Sequence, residues 1–433
     1  MREMKDSGNK WIGLIPKTWG VERIKTIFSE RSELSEDVSE TLLSVSEYYG
    51  VANRAEKVED GEYVSRAESL VGYKKCYKGD LVSNIMLAWK GSMGVTELDG
   101  IVSPAYCVYK PSKSVYPRYY HYLFRTSLYT SIFRLYSKGI IDSRLRLYSP
   151  YFFDIKAIIP SYAEQQRIAE FLDRKCAEVD EMIGLQEQII EELKAYKQSV
   201  ITEAITKGLN LDAPMRDSGI EWIGQIPEHW ELKPLKFNFK RRSERNNPIV
   251  TTERLSLSID KGVTLYSEKT TNLDRFKEDF TQYQIAHPND IVLNCMNMIV
   301  GAVGLSKYLG CVSPVYYVIY PSNSKIDSEY YSYLLNTPTI RGVYYSYGKG
   351  IYAIERGEGR VNTCRLKVSY EDFGRFDIPI PPIEEQKDIV IYIKEKCADI
   401  DSLIQTKQSK IDSLKEYKKS IIYEYVTGKR EVE

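Results

Sequence analysis

The sequence predicts an α+β protein: two globular domains, related by a pseudo-twofold axis and separated by two long antiparallel coiled-coil helices. Three observations carry this. A seam of apolar residues with two polar interruptions, Gln186 and Lys197, steps alternately by four and three through Leu172, Cys176, Val179, Ile183, Gln186, Ile190, Leu193, Lys197, Val200 and Ala204, the a/d seam of a coiled coil. The same steps return through Ile393, Cys397, Ile400, Ile404, Lys407, Ile411, Leu414, Lys418, Ile421 and Tyr425, with Gln186 answered by Lys407 and Lys197 by Lys418. The third is a repeat outside the seams. Met4-Lys-Asp-Ser-Gly-Asn-Lys-Trp11-Ile-Gly13-Leu-Ile-Pro16-Lys-Thr-Trp19 recurs as Met215-Arg-Asp-Ser-Gly-Ile-Glu-Trp222-Ile-Gly224-Gln-Ile-Pro227-Glu-His-Trp230.

In chain order, residues 1–159 form the N-terminal segment and first globular domain, 160–208 a helical spacer, 209–380 a linker and second domain, and 381–433 a second spacer. Within the domains, Arg31-Ser-Glu matches Arg242-Ser-Glu, Gly79-Asp80 matches Asn289-Asp290, and Ser103-Pro104-Ala-Tyr106 matches Ser313-Pro314-Val-Tyr316. The β-branched runs at 101–109 and 311–320 read as strands, and 117–131 and 327–337 as helical patches, giving each domain a central sheet. Ser161 and Glu164 have capping-box spacing, Pro382 suits a first helical position, and Gly208 and Gly428 close the two long helices. At 1.5 Å per residue, roughly 40 residues make a rod of about 60 Å. Antiparallel packing returns the second helix to the first domain, which places each Trp-Ile-Gly segment beside the tail of a long helix. The tryptophans Trp11, Trp19, Trp222 and Trp230 then read as packing anchors, on the rod, on a partner or within their own domains.

Hydrophobic content of 43% is enough for real cores, and a formal net charge of +0 does not by itself announce a nucleic-acid binder. The globular parts lean basic and the first long helix acidic. Seven cysteines with no Cys-x-x-Cys pair indicate a reducing compartment rather than a disulfide framework or zinc ribbon. No stretch has the length and apolarity of a membrane span, so the expectation is a soluble, cytoplasmic protein.

The landmarks together resemble one family. The pairing of Pro160-Ser-Tyr-Ala-Glu164-Gln165-Gln166 and Pro381-Pro-Ile-Glu-Glu385-Gln386 with the long helices, the two Asp-Ser-Gly-x-x-Trp-Ile-Gly segments and the two Ser-Pro-x-Tyr strands are similar to the specificity subunits of type I restriction-modification systems. The resemblance spans the whole chain. It implies two target-recognition domains, each reading one half of a bipartite site on double-stranded DNA, and a helical rod that sets the gap. It also implies docking of two methyltransferase subunits and of restriction/motor subunits. S-adenosylmethionine, ATP and Mg are then expected only on those partners, with no cofactor in this chain and no catalysis by it alone.

The residues themselves point the same way. The three histidines, His121, His229 and His287, lack metal-ligand spacing. The run Gly342 to Gly350 is no Walker A, and no Gly-x-Gly-x-x-Gly follows a strand. Glu231-Leu-Lys233 and Glu385-Gln-Lys387 have the Glu-x-Lys form of a nuclease core, but no Pro-Asp precedes them and they read as solvated charges. For DNA contact, two stretches before the long helices stand out. One carries Lys138, Ser143, Arg144 and Arg146; the other carries Lys349, Arg356, Arg360, Asn362 and Arg365, each with glycines that let backbone approach closely. Lys90, beside Trp89, is a further candidate. Lys74-Lys75 and Lys240-Arg241-Arg242 read equally as phosphate clamps or as solvated surface. The 35 tyrosines read as core and surface composition before base-stacking groups. The second domain has Met298-Ile-Val where the first has Ala88-Trp89-Lys90, so the two halves are expected to read different bases. Two alternatives stay open: a specificity protein for a fused type II restriction-methyltransferase, and a coiled-coil scaffold that binds no DNA.

Overall fold

The computed structural model describes residues 2–36, 40–56, 70–210, 212–259, 261–269, 279–351, 354–356, 360–362 and 365–432; the side chains of Ser143 and of the strand residues within 351–365 lie outside the description. The main strands are β1 (Phe28–Arg31), β2 (Leu81–Asn84), β3 (Met93–Val95) and β4 (Tyr106–Pro111), then β5 (Phe239–Arg241), β6 (Ile291–Leu293), β7 (Val303–Leu305) and β8 (Tyr317–Pro321). The main helices are α1 (Pro117–Leu123), α2 (Ser127–Tyr136), α3 (Tyr162–Lys207), α4 (Ser328–Leu334), α5 (Pro338–Tyr347) and α6 (Ile383–Val426). The chain divides into two compact units, Met1–Glu187 with Gln408–Glu433, and Gln188–Lys407.

Each unit is α+β, as its sequence predicts. The first has an antiparallel sheet in the order β1-β4-β2-β3, with Val108 opposite Arg31 on one side and Val82 on the other. The second repeats it as β5-β8-β6-β7, with Val318 opposite Val292. Two expected runs are broken. The run at 101–109 becomes Gly100–Val102 and β4, because Pro104 has no N–H for a ladder and Ser103 turns the chain by accepting from the amide of Tyr106 at 2.9 Å. Ser313 makes the same turn with Tyr316 at 3.0 Å. The patch at 117–131 becomes α1 and α2, because the Thr126 hydroxyl caps a new helix by accepting from the amide of Tyr129; Thr337 does so for Ile340.

The cores explain much of the tyrosine excess. Tyr119, Tyr120, Tyr129, Tyr330, Tyr331 and Tyr344 are fully buried. Their rings supply area and their hydroxyls find carbonyls: Tyr129 to Lys156, Tyr331 to Pro379 at 2.9 Å, Tyr344 to Leu335 at 3.0 Å.

Helix α3 runs for 46 residues and α6 for 44. In the first unit their seams meet. Leu172, Cys176, Val179, Ile421 and Tyr425 are buried, and the Phe171 and Tyr425 rings lie 4.4 Å apart. Lys418 meets Asp180 at 2.6 Å, so residue numbers rise on one helix as they fall on the other and the pair is antiparallel. In the second unit Ile190, Val200, Ala204, Ile393 and Ile400 are buried, and Lys197 meets Asp401 at 2.7 Å.

The helix ends are fixed to their heads by a repeated device. Trp19 is fully buried and its indole N–H donates to Glu164 at 3.2 Å; Trp230 donates to Glu385 at 3.1 Å. Burial opposes the charge on Glu164, but donation from Trp19, Arg2 and Ser161 outweighs it and holds the carboxyl below the ordinary glutamate range. The next residue is a buried glutamine. Gln165 donates to the carbonyl of Pro160 and accepts from the amide of Tyr116; Gln386 donates to Pro381 and accepts from Asp327. Tyr119 donates to the carbonyl of Val426 at 2.7 Å in the last turn of α6, and Tyr330 to Ile205 at 2.7 Å in the last turn of α3. Each head thus holds the start of one long helix and the tail of the other. Gly428 (φ +71°) and Gly208 (φ +76°) end those tails against Trp19 and Trp230, as expected of the tryptophan segments. Trp11 is exposed.

Candidate nucleic-acid interface

In the first unit the residues from 138 to 146 form a closed loop. Lys138 and Arg146 exchange both backbone hydrogen bonds at 2.9 Å, and Leu147 donates to the carbonyl of Ile85 at 2.9 Å. Residues Asp142–Arg144 make one tight turn. Gly139 sits at φ +152°, where a Cβ would stand 2.5 Å from the Arg144 carbonyl oxygen, so the crossing of the loop on itself requires glycine. Leu145 and Leu147 are buried beneath, while Ile140, Ile141, Asp142 and Arg144 face out.

The loop is held to a second cationic element. Arg134 of α2 pairs with Asp142 at 2.7 Å and lies 4.9 Å from the centre of the Trp89 ring. Lys90 lies 5.3 Å from the same ring. Trp89 is half-buried, packs against the core of the first unit and donates to the carbonyl of Met86 at 3.1 Å, so it is part of the core and also a platform for the two cations. The turn carrying Lys90 is itself anchored. Arg125 donates to the carbonyls of Ser46, Gly91, Met93, Glu47 and Tyr48, and burial lowers its pKa to about 10.

Of the residues singled out in sequence, the structure therefore brings Lys90, Lys138, Arg144 and Arg146 to one region. The Lys138 ammonium lies 4.7 Å from the Tyr151 ring, and Arg146 donates to the carbonyl of Leu145. The Ser143 side chain lies outside the described residues. Sequence reasoning missed Arg134. It lies in a helix, one turn before the stretch it braces, and only the fold reveals its place on Trp89.

In the second unit the corresponding stretch is built differently. Lys349–Ile351 pairs with Arg365–Lys367, and Ile354–Arg356 pairs with Arg360–Asn362. Lys349 is exposed, 3.8 Å from Asp372. The backbones of Arg356, Arg360, Asn362 and Arg365 fall in these two ribbons, and their side chains lie outside the described residues. The tight turn at Ala88–Lys90 returns as Met298–Val300, with Val300 exposed where Lys90 stands in the first unit.

The basic edge segments divide into two kinds. Lys74 is committed to the carbonyl of Tyr106 at 2.6 Å and Lys75 to Glu40 at 2.9 Å. Arg242 grips the buried Asp290 at 2.6 Å, as Arg31 grips the buried Asp80 at 2.8 Å. Lys240 and Arg241 are exposed, with Arg241 over the Tyr317 and Tyr370 rings. Glu385 serves Trp230 and His229. Among the described residues no group of three or more His, Cys, Asp or Glu side chains is placed to hold a metal ion, and no helix is long and apolar enough to cross a membrane.

No protein-family model matches the chain. Curated proteins do. The type I restriction enzyme StySPI specificity subunit of Salmonella potsdam is 25% identical over 306 residues, which cover 69% of this chain and 62% of that protein, slightly less than two thirds of its length. Two solved structures match in fold at 14% identity. One, from a study of complex assembly and conformational transition of the type I R-M system, has a TM-score of 0.66 over 96% of this chain and 99% of its own. The other, the HsdS subunit from Thermoanaerobacter tengcongensis, has a TM-score of 0.54 over 98% and 100%.

Proposed function

We propose that this chain, which belongs to the specificity-subunit family of type I restriction enzymes, reads an asymmetric bipartite site on double-stranded DNA and presents it to methyltransferase and restriction subunits docked on the chain. The observation that carries this reading is a duplicated scaffold with one part changed. Both units place a glycine-containing, cation-bearing stretch in the same position, after α2 in one and after α5 in the other. The first is a closed loop and the second a pair of ribbons. Equal scaffolds with unequal reading loops suit two different half-sites.

In this reading residues 1–159 and 209–380 are the two readers, and 160–208 and 381–433 are the spacers. Lys90, Lys138, Arg144 and Arg146 serve the first half-site, with Ser143 beside them. Lys349, Arg356, Arg360, Asn362 and Arg365 serve the second. Lysines position the backbone of the duplex, and arginines and Asn362 are suited to base edges. The chain performs no chemistry. S-adenosylmethionine, ATP and Mg belong to the partners, whose methyltransferases flip and modify an adenine in each half. A repeated surface fits two copies of one partner. Met182 and Tyr417 in the first unit, and their repeat mates Leu403 and Tyr196 in the second, are exposed on the long helices.

The test is to express the chain with its methyltransferase in a host lacking adenine methylation and to map modified adenines by long-read sequencing. The expected result is one asymmetric bipartite motif. An assembled complex that modifies nothing would speak for a scaffold, and one continuous short motif would mean that a single unit reads DNA.

A further inference from the structure

The loop from 138 to 146 carries a feature that phosphate and base-edge contacts do not use. Its tip is apolar. Ile140 is 100% exposed and Ile141 54% exposed. One exposed isoleucine on a protein surface is ordinary. This one stands on a loop closed by both Lys138–Arg146 bonds, crossed at Gly139 and braced through Asp142 to Arg134 and Trp89. The backbone that carries it is held on both sides, which lowers the cost of ordering the loop on contact. The same loop carries the exposed Lys138 and Arg144, and its brace carries the exposed Arg134, which shares the Trp89 ring with Lys90. An exposed aliphatic side chain on a loop that also carries cations suits an anionic surface with an apolar interior, and stacked base pairs between phosphate backbones are such a surface.

We infer that Ile140 is a wedge that enters between adjacent base pairs of the first half-site, unstacking one step while Lys90 and Lys138 hold phosphates of the duplex. Isoleucine is among the side chains suited to that insertion. The cost of opening a step is least at flexible pyrimidine–purine steps, so the wedge also makes the first unit sensitive to bases that no hydrogen bond reads. The inference rests on the DNA-reading function proposed above.

The experiment uses the full chain and duplexes carrying the mapped site, with the fluorescent adenine analogue 2-aminopurine replacing each adenine on either strand in turn. Binding of the unaltered chain should raise the fluorescence at one position of the first half-site. Ile140→Ala should abolish that rise and weaken binding about tenfold, with the salt dependence of binding unchanged because no phosphate contact is lost. Ile140→Phe, which keeps an apolar wedge, should retain the rise. Both variants change a fully exposed side chain, and unaltered thermal unfolding would verify that the fold is intact. Ile140→Ala with the fluorescence and affinity of the unaltered chain overturns the wedge while leaving DNA reading in place. Failure of the unaltered chain to bind the duplex at all overturns the DNA-reading function itself, and the wedge with it.

Discussion

Lys418 grips Asp180 through both carboxylate oxygens at 2.6 Å, and its repeat mate Lys197 grips Asp401 the same way at 2.7 Å. Both lysines occupy seam positions where other heptads carry apolar residues, and both remain partly exposed, at 28% and 29%. Their stems lie along the seam while their ammonium groups reach out to the carboxylates. An exposed pair of this kind contributes only about 0.2–1 kcal/mol. Full burial of a leucine contributes about 1.5–3 kcal/mol. Lys418→Leu is therefore expected to leave the thermal midpoint unchanged or raise it, as measured by calorimetry. A marked fall would mean that the ion pair contributes more than its exposure allows.

The tail glycines make a sharper case. At Gly428 a Cβ would stand 2.5 Å from Pro16 Cγ and 2.9 Å from the Trp19 ring, in a left-handed backbone. Gly428→Ala is expected to cost about 1–3 kcal/mol, from strain and from displacement of the Trp19 anchor. Gly72, at φ +84° with nothing within 4 Å of its would-be Cβ, supplies the control, since Gly72→Ala meets strain alone. Urea denaturation should rank Gly428→Ala as the more costly. Equal costs would show that the close packing at Pro16 and Trp19 adds nothing.

Much of this was legible in sequence, and the division has physical causes. The seams, the caps and the return of each helix tail to a tryptophan segment follow from spacing and from glycine and proline, which act locally. The broken runs at Pro104 and Thr126 carried their own signals in a proline and a capping threonine. What spacing does not carry is how a cation is used. Arg242 and Lys240 stand two residues apart, yet one is bound to a buried aspartate and the other is exposed. Arg134 looks like any helical arginine until the fold sets it on Trp89. Ile140 lies within the stretch singled out for its cations, and only the fold shows that its side chain is fully exposed.

Glu164 supplies a pH dependence with a defined sign. Its carboxyl is held below the ordinary value because, against the opposing effect of burial, it accepts from Trp19, Arg2 and Ser161. A depressed carboxylate contributes stability that is present above the unfolded pKa, about 4.3 for glutamate, and is lost as pH falls through the lower folded value. Glu164→Gln is expected to reduce stability at pH 7 and to flatten the loss on acidification below about pH 4.3. Urea midpoints across the acid range would check this. A variant with the same acid slope as the unaltered chain would place the loss in other groups.

Cations that touch phosphates have a measurable signature. Each phosphate contact removed should lower the slope of log affinity against log salt by about 0.9. Lys90→Ala and Lys138→Ala are expected to weaken DNA binding evenly across sequences and to reduce the slope by about one each. Arg144→Ala, if its guanidinium meets a base edge, should weaken the cognate site by about 1–3 kcal/mol and relax preference at one position. Binding titrations at several salt concentrations on cognate and unrelated duplexes separate the two behaviours. No change in slope for either lysine would remove it from the interface.

The proposed spacer can be tested as a ruler because a helix lengthens by a fixed rise per residue. One heptad added to each of α3 and α6 keeps the four-three seam in phase, and seven residues at 1.5 Å lengthen a helix by about 10 Å. At 3.4 Å per base pair, that corresponds to about three base pairs of duplex. The insertions must fall between Asp180 and Lys197 in α3 and between Asp401 and Lys418 in α6, so that both ion pairs and both anchored ends keep their partners. Modified-adenine mapping of the double insertion is expected to return the same two half-sites with the gap lengthened by about three base pairs. An insertion in only one helix should instead destroy recognition, because the two seams then differ in length and one head must leave its anchors. Unchanged half-sites with an unchanged gap would show that the separation of the readers is set by something other than the rod.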